Sequence, residues 1–172
     1  MTIFCNQTVR SETEKKYLIS QTNNCSTEVQ KLTPLLLKDL PSYANRVIQR
    51  TQKIHRRENI RNYIISAGKA EFEPLKLPHL EYDRDQESST EQVFFTVLER
   101  QYINQKITKI QTYHWLFLTP SDRGWRMVMM FSRYDLEGNN NPPTPPQETT
   151  DGAIGQAIQI WLKDCRWGTL RH

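Results

Sequence analysis

The alternation of apolar and polar residues is clearest between Gln92 and Ser132, where it predicts three consecutive antiparallel β-strands. Two of these strands carry large apolar side chains on both faces, a pattern typical of central strands covered on two sides. The residues Thr-Pro-Ser-Asp-Arg-Gly at 119–124 indicate a tight connection, so the last two strands are expected to form a hairpin. A further strand with a glycine-marked bend or bulge is predicted over Ile60–Phe72.

A helical pattern precedes these strands. Apolar residues recur at steps of three and four after Pro34, as in an amphipathic helix. Because proline is tolerated in the first turn of a helix but not in its interior, Pro41 is expected to divide the segment. The prediction is a short helical turn at 34–39, followed by a main helix that starts at Pro41.

A second helical pattern lies near the end of the chain, after an asparagine- and proline-rich loop at 137–150. Thr150 or Asp151 is expected to cap this helix. Its predicted apolar stripe consists of Ile154, Ala157, Ile158, Trp161, Leu162 and Cys165.

The order helix, strand, three-strand meander, helix predicts an α+β fold with an antiparallel sheet of about four strands packed by an N-terminal and a C-terminal helix. Cystatin-like and nuclear-transport-factor-like folds share this outline, but a shared outline carries no function. Residues 1–31 show neither the period of 3.6 residues typical of a helix nor the period of two typical of a strand, and they are expected to be a mobile N-terminal arm. Residues 32–172 are expected to be a single α+β domain that includes the proline-rich loop at 137–150.

The composition of the chain limits the compartments and the binding partners that are expected for this protein. The chain has 172 residues, of which 37% are hydrophobic, and no run approaches the ~18 apolar residues that a membrane-spanning helix needs. Residues 1–31 do not have the pattern of a secretory leader, so the protein is expected to be cytoplasmic unless its leader is missing from this version. A net charge of +4 is modest, and no aromatic residues are interleaved with the basic stripe of the first predicted helix, so nucleic acid is not an expected partner.

The sequence contains no nucleophile with a partnered base, no clustered metal ligands and no phosphate-binding glycine loop. We therefore expect no catalytic, metal or cofactor site, and a protein that is not an enzyme. His114, with Glu99 on the neighbouring strand, is a candidate for acid–base chemistry, and the alternative is a buried histidine bonded to its neighbours. The enzymatic interpretation requires an exposed ring in a cleft with Glu99 within hydrogen-bond reach.

Two binding surfaces are candidates. The first is a basic helix face formed by Arg46, Arg50, Lys53 and Arg57 at steps of four, three and four. It could contact a protein partner, phosphate or an anionic membrane surface peripherally, and the alternative is the solvated back of an amphipathic helix.

The second candidate is an apolar pocket between sheet and helix. Its expected lining is Tyr113, Trp115, Trp125 and Met127. Ligand pockets are mostly aromatic and aliphatic, but such residues also fill ordinary cores, and both interpretations stay open at this point.

Three cysteines, Cys5, Cys25 and Cys165, have no C-x-x-C spacing and no nearby histidine, which argues against a zinc site and against a redox motif. A bridge between Cys25 and Cys165 would close a loop of nearly the whole domain. The alternative is that both are reduced, with Cys165 as a small buried hydrophobic residue.

Several segments within residues 25–168 resemble a family of uncharacterised cyanobacterial proteins. They are Leu35–Arg50, Glu71–Leu75, Gln92–Thr96, His114–Thr119, Gly124–Ser132, Gly155–Ala157 and Trp161–Arg166. The resemblance implies no activity, because no function is assigned to that family. It does imply export to the periplasm or thylakoid lumen and a bridge between Cys25 and Cys165, since its members have an apolar leader and a cysteine before the first helix. This chain departs from that pattern by lacking the leader.

Taken together, these features lead us to expect a non-enzymatic binding or scaffolding protein of a cyanobacterial cell, with an unidentified protein as its partner. The alternative function is that of a small-molecule-binding domain with an apolar pocket between sheet and helix. A continuous cavity rather than a filled core would favour that alternative.

Overall fold

The computed structural model describes residues 25–55, 60–73, 89–103, 106–135 and 145–170. In chain order its elements are α1 (Val29–His55), β1 (Ile60–Ala67), β2 (Glu91–Ile103), β3 (Lys106–Ser121), β4 (Gly124–Asp135), β5 (Gln147–Glu148) and α2 (Ala153–Trp167). The five strands form one antiparallel sheet in the order β1-β2-β3-β4-β5, and both helices pack on it. The predicted α+β class, the meander and the two flanking helices are therefore confirmed, and the short β5 adds a fifth strand.

The predicted break at Pro41 is wrong. The helix α1 starts at Val29, within the expected arm, and runs through both Pro34 and Pro41 without interruption. An interior proline costs a helix about 3 kcal/mol, whereas each fully buried large apolar side chain contributes about 1.5–3 kcal/mol. Burial along one face of α1 outweighs the two prolines, and this face consists of Val29, Leu32, Leu36, Leu40, Tyr43, Ala44 and Val47.

The predicted hairpin between β3 and β4 is confirmed, and Gly124, at φ 116°, closes its turn. The pairing of these strands contains an irregularity that the sequence pattern did not reveal. Phe117 pairs with Met129 and Leu118 pairs with Met127, which leaves Val128 as the extra residue of a β-bulge. The bulge shifts the alternation along β4, so Trp125 and Met130 both lie in the buried core although they are an odd number of residues apart.

The two faces of the sheet differ. The face toward the helices is fully buried at its centre, whereas the opposite face carries half-buried aromatic residues that lie outside the core. These residues include Phe94, Tyr113, Trp115, Phe117 and Phe131. They pack on one another across neighbouring strands, with ring centroids 5.3 Å apart for Phe94 and Trp115. The strands were expected to be covered on both sides, and among the described residues the two helices form the core on one side only.

Polar contacts join the two helices to each other and join α1 to the sheet. The indole Nε1 of Trp161 donates to Asp39 Oδ2 at 2.9 Å, and the Tyr43 hydroxyl donates to Asp164 Oδ2 at 3.0 Å. On the sheet side, the buried Asn45 amide bonds both the N–H and the C=O of Ile64, at 2.8 and 2.9 Å. With both helices fixed in this way, a space remains between the second half of α1, the start of α2 and the sheet.

No helix among the described residues combines the length and the apolar character needed to cross a membrane.

Candidate functional site

A cavity of about 670 Å³ lies between the helices and the sheet. Its apolar lining consists of Ile48 of α1, Ile64 of β1, Met130 of β4 and Ile154 of α2. The volume falls within the range of roughly 300 to 1,000 Å³ that is typical of small-molecule sites. Most of the remaining lining is polar, and it includes Thr51, Gln52, Asn62, Glu99, Gln101, His114, Ser132, Tyr134, Thr149, Asp151 and Gln156.

Beneath the cavity, five buried or half-buried side chains form a continuous hydrogen-bonded chain. Thr112 Oγ1 donates to Glu99 Oε1 at 3.3 Å and lies 2.8 Å from His114 Nε2. The other ring nitrogen, His114 Nδ1, lies 2.7 Å from Ser132 Oγ, which in turn bonds Thr149 Oγ1 at 2.5 Å. Three strands and the segment before α2 therefore meet in this polar chain.

The charge of Glu99 sets the direction of these hydrogen bonds. When the carboxyl group is ionised it only accepts, so the Thr112 hydroxyl donates to it and His114 Nε2–H donates to Thr112. The unprotonated Nδ1 then accepts from Ser132, and Ser132 accepts from Thr149. Every hydroxyl and ring proton in this arrangement points toward Glu99, and the histidine is neutral.

Burial shifts the pKa values of this chain. His114 is 2% exposed, and its burial lowers the pKa of the ring from 6.5 to about 4. Burial also raises the pKa of Glu99, an effect that the hydrogen bond from Thr112 partly offsets. The pKa of Tyr134 is raised by its own burial and by the charge of Glu99. Among the described residues, no lysine or arginine forms an ion pair with Glu99.

Acid is expected to destabilise the fold through His114. The pKa of the ring falls from 6.5 to about 4 on folding, so in this window the unfolded chain binds a proton that the folded ring does not. The contribution of His114 to the free energy of unfolding is therefore complete above about pH 6.5. It falls by roughly 3 kcal/mol in total as the pH falls toward about 4. Urea denaturation across this window should show the loss.

The variant His114→Gln is the control for this prediction, because its free energy of unfolding should lack the histidine-dependent slope. The raised pKa of Glu99 acts in the opposite direction, since protonation of this carboxyl group stabilises the fold as the pH falls. The difference in free energy of unfolding between wild type and His114→Gln, followed across the pH range, gives the contribution of the histidine alone. An imidazole that titrates between pH 6 and 7 by NMR would contradict the prediction.

The conditions for an enzyme centred on His114 are not met among the described residues. The ring is 2% exposed rather than open in a cleft, and Thr112 lies between it and Glu99 in the hydrogen-bonded chain. The observed arrangement corresponds to the alternative expectation of a buried histidine bonded to its neighbours. Within the part of the chain that the structure describes, no group of three or more His, Cys, Asp or Glu side chains is placed to hold a metal ion.

The predicted grouping of Tyr113, Trp115, Trp125 and Met127 around one pocket is not formed. Tyr113 and Trp115 alternate with His114 and Leu116 and so lie on the outer aromatic face. Trp125 and Met127 pack in or against the core on the other side, and the Trp125 indole donates to Thr27 O. None of the four lines the cavity. The cavity also lies between the sheet and the helices, but its lining differs from the predicted one.

The predicted basic helix face lies only partly within the described residues. The side chain of Lys53 and the whole of Arg57 fall outside them. Arg46 and Arg50 line a second recess of about 260 Å³ between the helices. The Arg46 guanidinium stacks 4.2 Å from the Tyr43 ring centroid, and its Nη2 is enclosed without a hydrogen-bond partner among the described residues. Arg46 is thus part of the packing between helices, and anion binding on this face stays a prediction.

Cys25 and Cys165 are brought together, with their sulfur atoms at disulfide-bonding distance, 2.09 Å, and their Cα atoms 5.2 Å apart. Cys25 precedes α1, and Cys165 lies in the last turns of α2. The third cysteine, Cys5, lies outside the described residues. This juxtaposition has the geometry of the bridge that the family resemblance implied.

The polar chain beneath the cavity was missed in the sequence, although a signal for it exists. Glu99, Thr112, His114 and Ser132 all occupy positions that alternate in step with buried apolar residues, where a polar side chain needs a partner. Thr149 has no such signal, because it belongs to the segment before α2 and reaches Ser132 only through the tertiary fold. Comparisons with protein-family models, with curated proteins and with solved structures gave no match for this chain.

Proposed function

We propose that this protein binds a small molecule in the cavity between α1, α2 and the sheet. The observation that carries the proposal is a cavity of about 670 Å³ above a buried polar chain that runs from Glu99 to Thr149. Between the two functions expected from the sequence, a continuous cavity favours the small-molecule-binding domain over the scaffold.

The lining supports this choice. The space is a cleft that is open to solvent on one side, and a concave site lined by both helices and the sheet is the usual form of a small-molecule site. Ile48, Ile64, Met130 and Ile154 offer an apolar surface to the body of a ligand. The polar residues of the lining offer hydrogen-bonding groups that would fix the ligand's orientation.

The proposal predicts that small amphiphilic fragments perturb the residues around the cavity. In ¹H–¹⁵N correlation spectra recorded during titration with a fragment library, the amides of Gly152 and Ile154 should shift in a saturable way. Tryptophan fluorescence is a poor reporter here, because Trp115 lies on the outer face and Trp125 does not line the cavity. Binding constants of single fragments are expected near the millimolar range, about −4 kcal/mol.

A blocking variant tests whether those shifts come from the cavity. Thr51 is exposed at the cavity lining, so Thr51→Trp should narrow the space and abolish the saturable shifts. Gln49 is exposed on the same helix but does not line the cavity, so Gln49→Trp is the matched control and should bind like wild type. If no fragment shifts the lining amides, or if Thr51→Trp binds as wild type does, the proposal is wrong.

We also propose that the protein works in an oxidising compartment. The support is the Cys25 and Cys165 pair at bonding distance, since stable disulfides belong to exported rather than cytosolic proteins in most organisms. Membership in the cyanobacterial family stays a prediction. Thiol counting on protein from its native compartment, under denaturing conditions with and without reduction, tests the proposal, and free thiols on both residues would overturn it.

A further inference from the structure

Resting on the proposed function, we infer that the ligand is an amphiphilic amine, whose ammonium group pairs with the Glu99 carboxylate while its apolar body packs on Ile48, Ile64, Met130 and Ile154. Two features of the cavity support this chemistry, namely the sign of its charges and the absence of a positively charged partner for Glu99 among the described residues, and the hydrogen-bonded chain is compatible with it.

The charges that face the cavity are negative. Glu99 and Asp151 line it, whereas no lysine or arginine among the described residues does. The other titratable groups in the lining are His114 and Tyr134, and at neutral pH neither carries a positive charge. A concave site lined by one sign of charge concentrates ligands of the opposite sign, so the cavity favours a cation.

Among the described residues, Glu99 has no positively charged partner, which a buried carboxylate normally has. It is 8% exposed, and the Thr112 hydroxyl supplies it with a neutral hydrogen bond. Buried charges are ordinarily paired with an opposite charge, and no such residue contacts Glu99 in the described part of the chain. The pKa of Glu99 is raised, mainly by burial, which agrees with a carboxylate that has no positive charge beside it. An ammonium group brings three N–H donors and a positive charge to this position.

The hydrogen-bonded chain is compatible with an ionised Glu99. With a neutral His114, Thr112 and the ring both donate in the direction of the carboxylate. An ammonium group would stabilise the ionised form without reversing any bond of this chain. A ligand carboxylate placed beside Glu99 would instead require one of the two acids to be protonated, because like charges at short distance repel.

The start of α2 is the feature of the lining that attracts anions. Gly152, Ala153 and Ile154 lie at the N-terminus of that helix, where the macrodipole is equivalent to about half a positive charge. Asp151 immediately precedes this end and carries a full negative charge. The dipole effect also fades within the first turn, so it acts at the rim of the cavity rather than beside Glu99.

Three probes with the same aromatic body separate the alternatives: 2-phenylethylamine, 2-phenylethanol and phenylacetate. Titrations followed by the lining amides should give 2-phenylethylamine a dissociation constant at least about tenfold lower than that of 2-phenylethanol, a difference of ~1.4 kcal/mol. Phenylacetate should bind weakest. In Glu99→Gln, the amine should lose this advantage, whereas the alcohol should bind within about twofold of wild type.

The control variant is Asp151→Asn, which removes the exposed rim carboxylate and should retain most of the preference for the amine. Equal or tighter binding of 2-phenylethanol or phenylacetate to wild type would overturn the inference while leaving small-molecule binding intact. Retention of the amine preference in folded Glu99→Gln would also overturn it. Should Glu99→Gln not fold, the ranking of the three probes on wild type still decides. Failure of these probes and of every library fragment at the cavity would overturn the proposed function as well.

Discussion

Replacing Cys25 by serine is expected to lower the free energy of unfolding by about 4 to 5 kcal/mol. The two cysteines are 140 residues apart in sequence, so a bond between them removes the freedom of almost the whole described chain in the unfolded state. In the chain-entropy description, the stabilisation grows with the logarithm of loop length and is near its upper end for a loop of this size. Urea denaturation of the variant and of oxidised wild type measures the difference directly.

The serine is placed at Cys25 because this residue is half-buried. Cys165 is 2% exposed, and burying a hydroxyl there would itself lower the free energy of unfolding. Reduction of wild type provides an independent comparison. Dithiothreitol should bring wild type to the stability of Cys25→Ser and should leave the variant unchanged. A reduced wild type as stable as the oxidised protein would show that the pair does not constrain the unfolded chain.

Local sequence patterns predicted the elements of the sheet well, because period-two alternation depends only on which face of a strand is buried. The same reasoning failed for Pro41. The local rule that proline interrupts a helix was outweighed there by tertiary packing of the helix. The apolar stripe of α1 packs on α2 and the sheet, and that packing is not visible in the residues around the proline. The single helix is thus a case of tertiary burial overriding propensity.

The candidate site was less predictable than the fold. The bulge at Val128 moves Trp125 and Met127 to the core side of β4, so a pocket inferred from simple alternation joined residues from opposite faces. The acid–histidine pair was noticed, but its true connection passes through Thr112. The cavity itself depends on where the two helices are fixed, by contacts more than one hundred residues apart in sequence, such as Trp161 to Asp39.

Replacing Trp161 by alanine is expected to lower the free energy of unfolding by about 3 to 5 kcal/mol. Trp161 is 0% exposed and is the largest of the fully buried side chains, so its removal leaves a void where α2 packs on α1. The change also removes the hydrogen bond from its Nε1 to Asp39. Urea denaturation gives the loss, and the spectra used for fragment titration show whether the cavity survives in the folded variant.

Trp161→Phe separates packing from hydrogen bonding. Phenylalanine retains most of the ring volume but cannot donate to Asp39, so we expect a smaller loss, about 1 to 2 kcal/mol. If volume is the main effect, alanine should cost clearly more than phenylalanine, and only alanine should weaken fragment binding, because α2 also supplies Ile154 to the cavity. Equal losses in the two variants would show instead that the bond to Asp39, rather than the buried indole surface, holds α2 in the position that shapes the site.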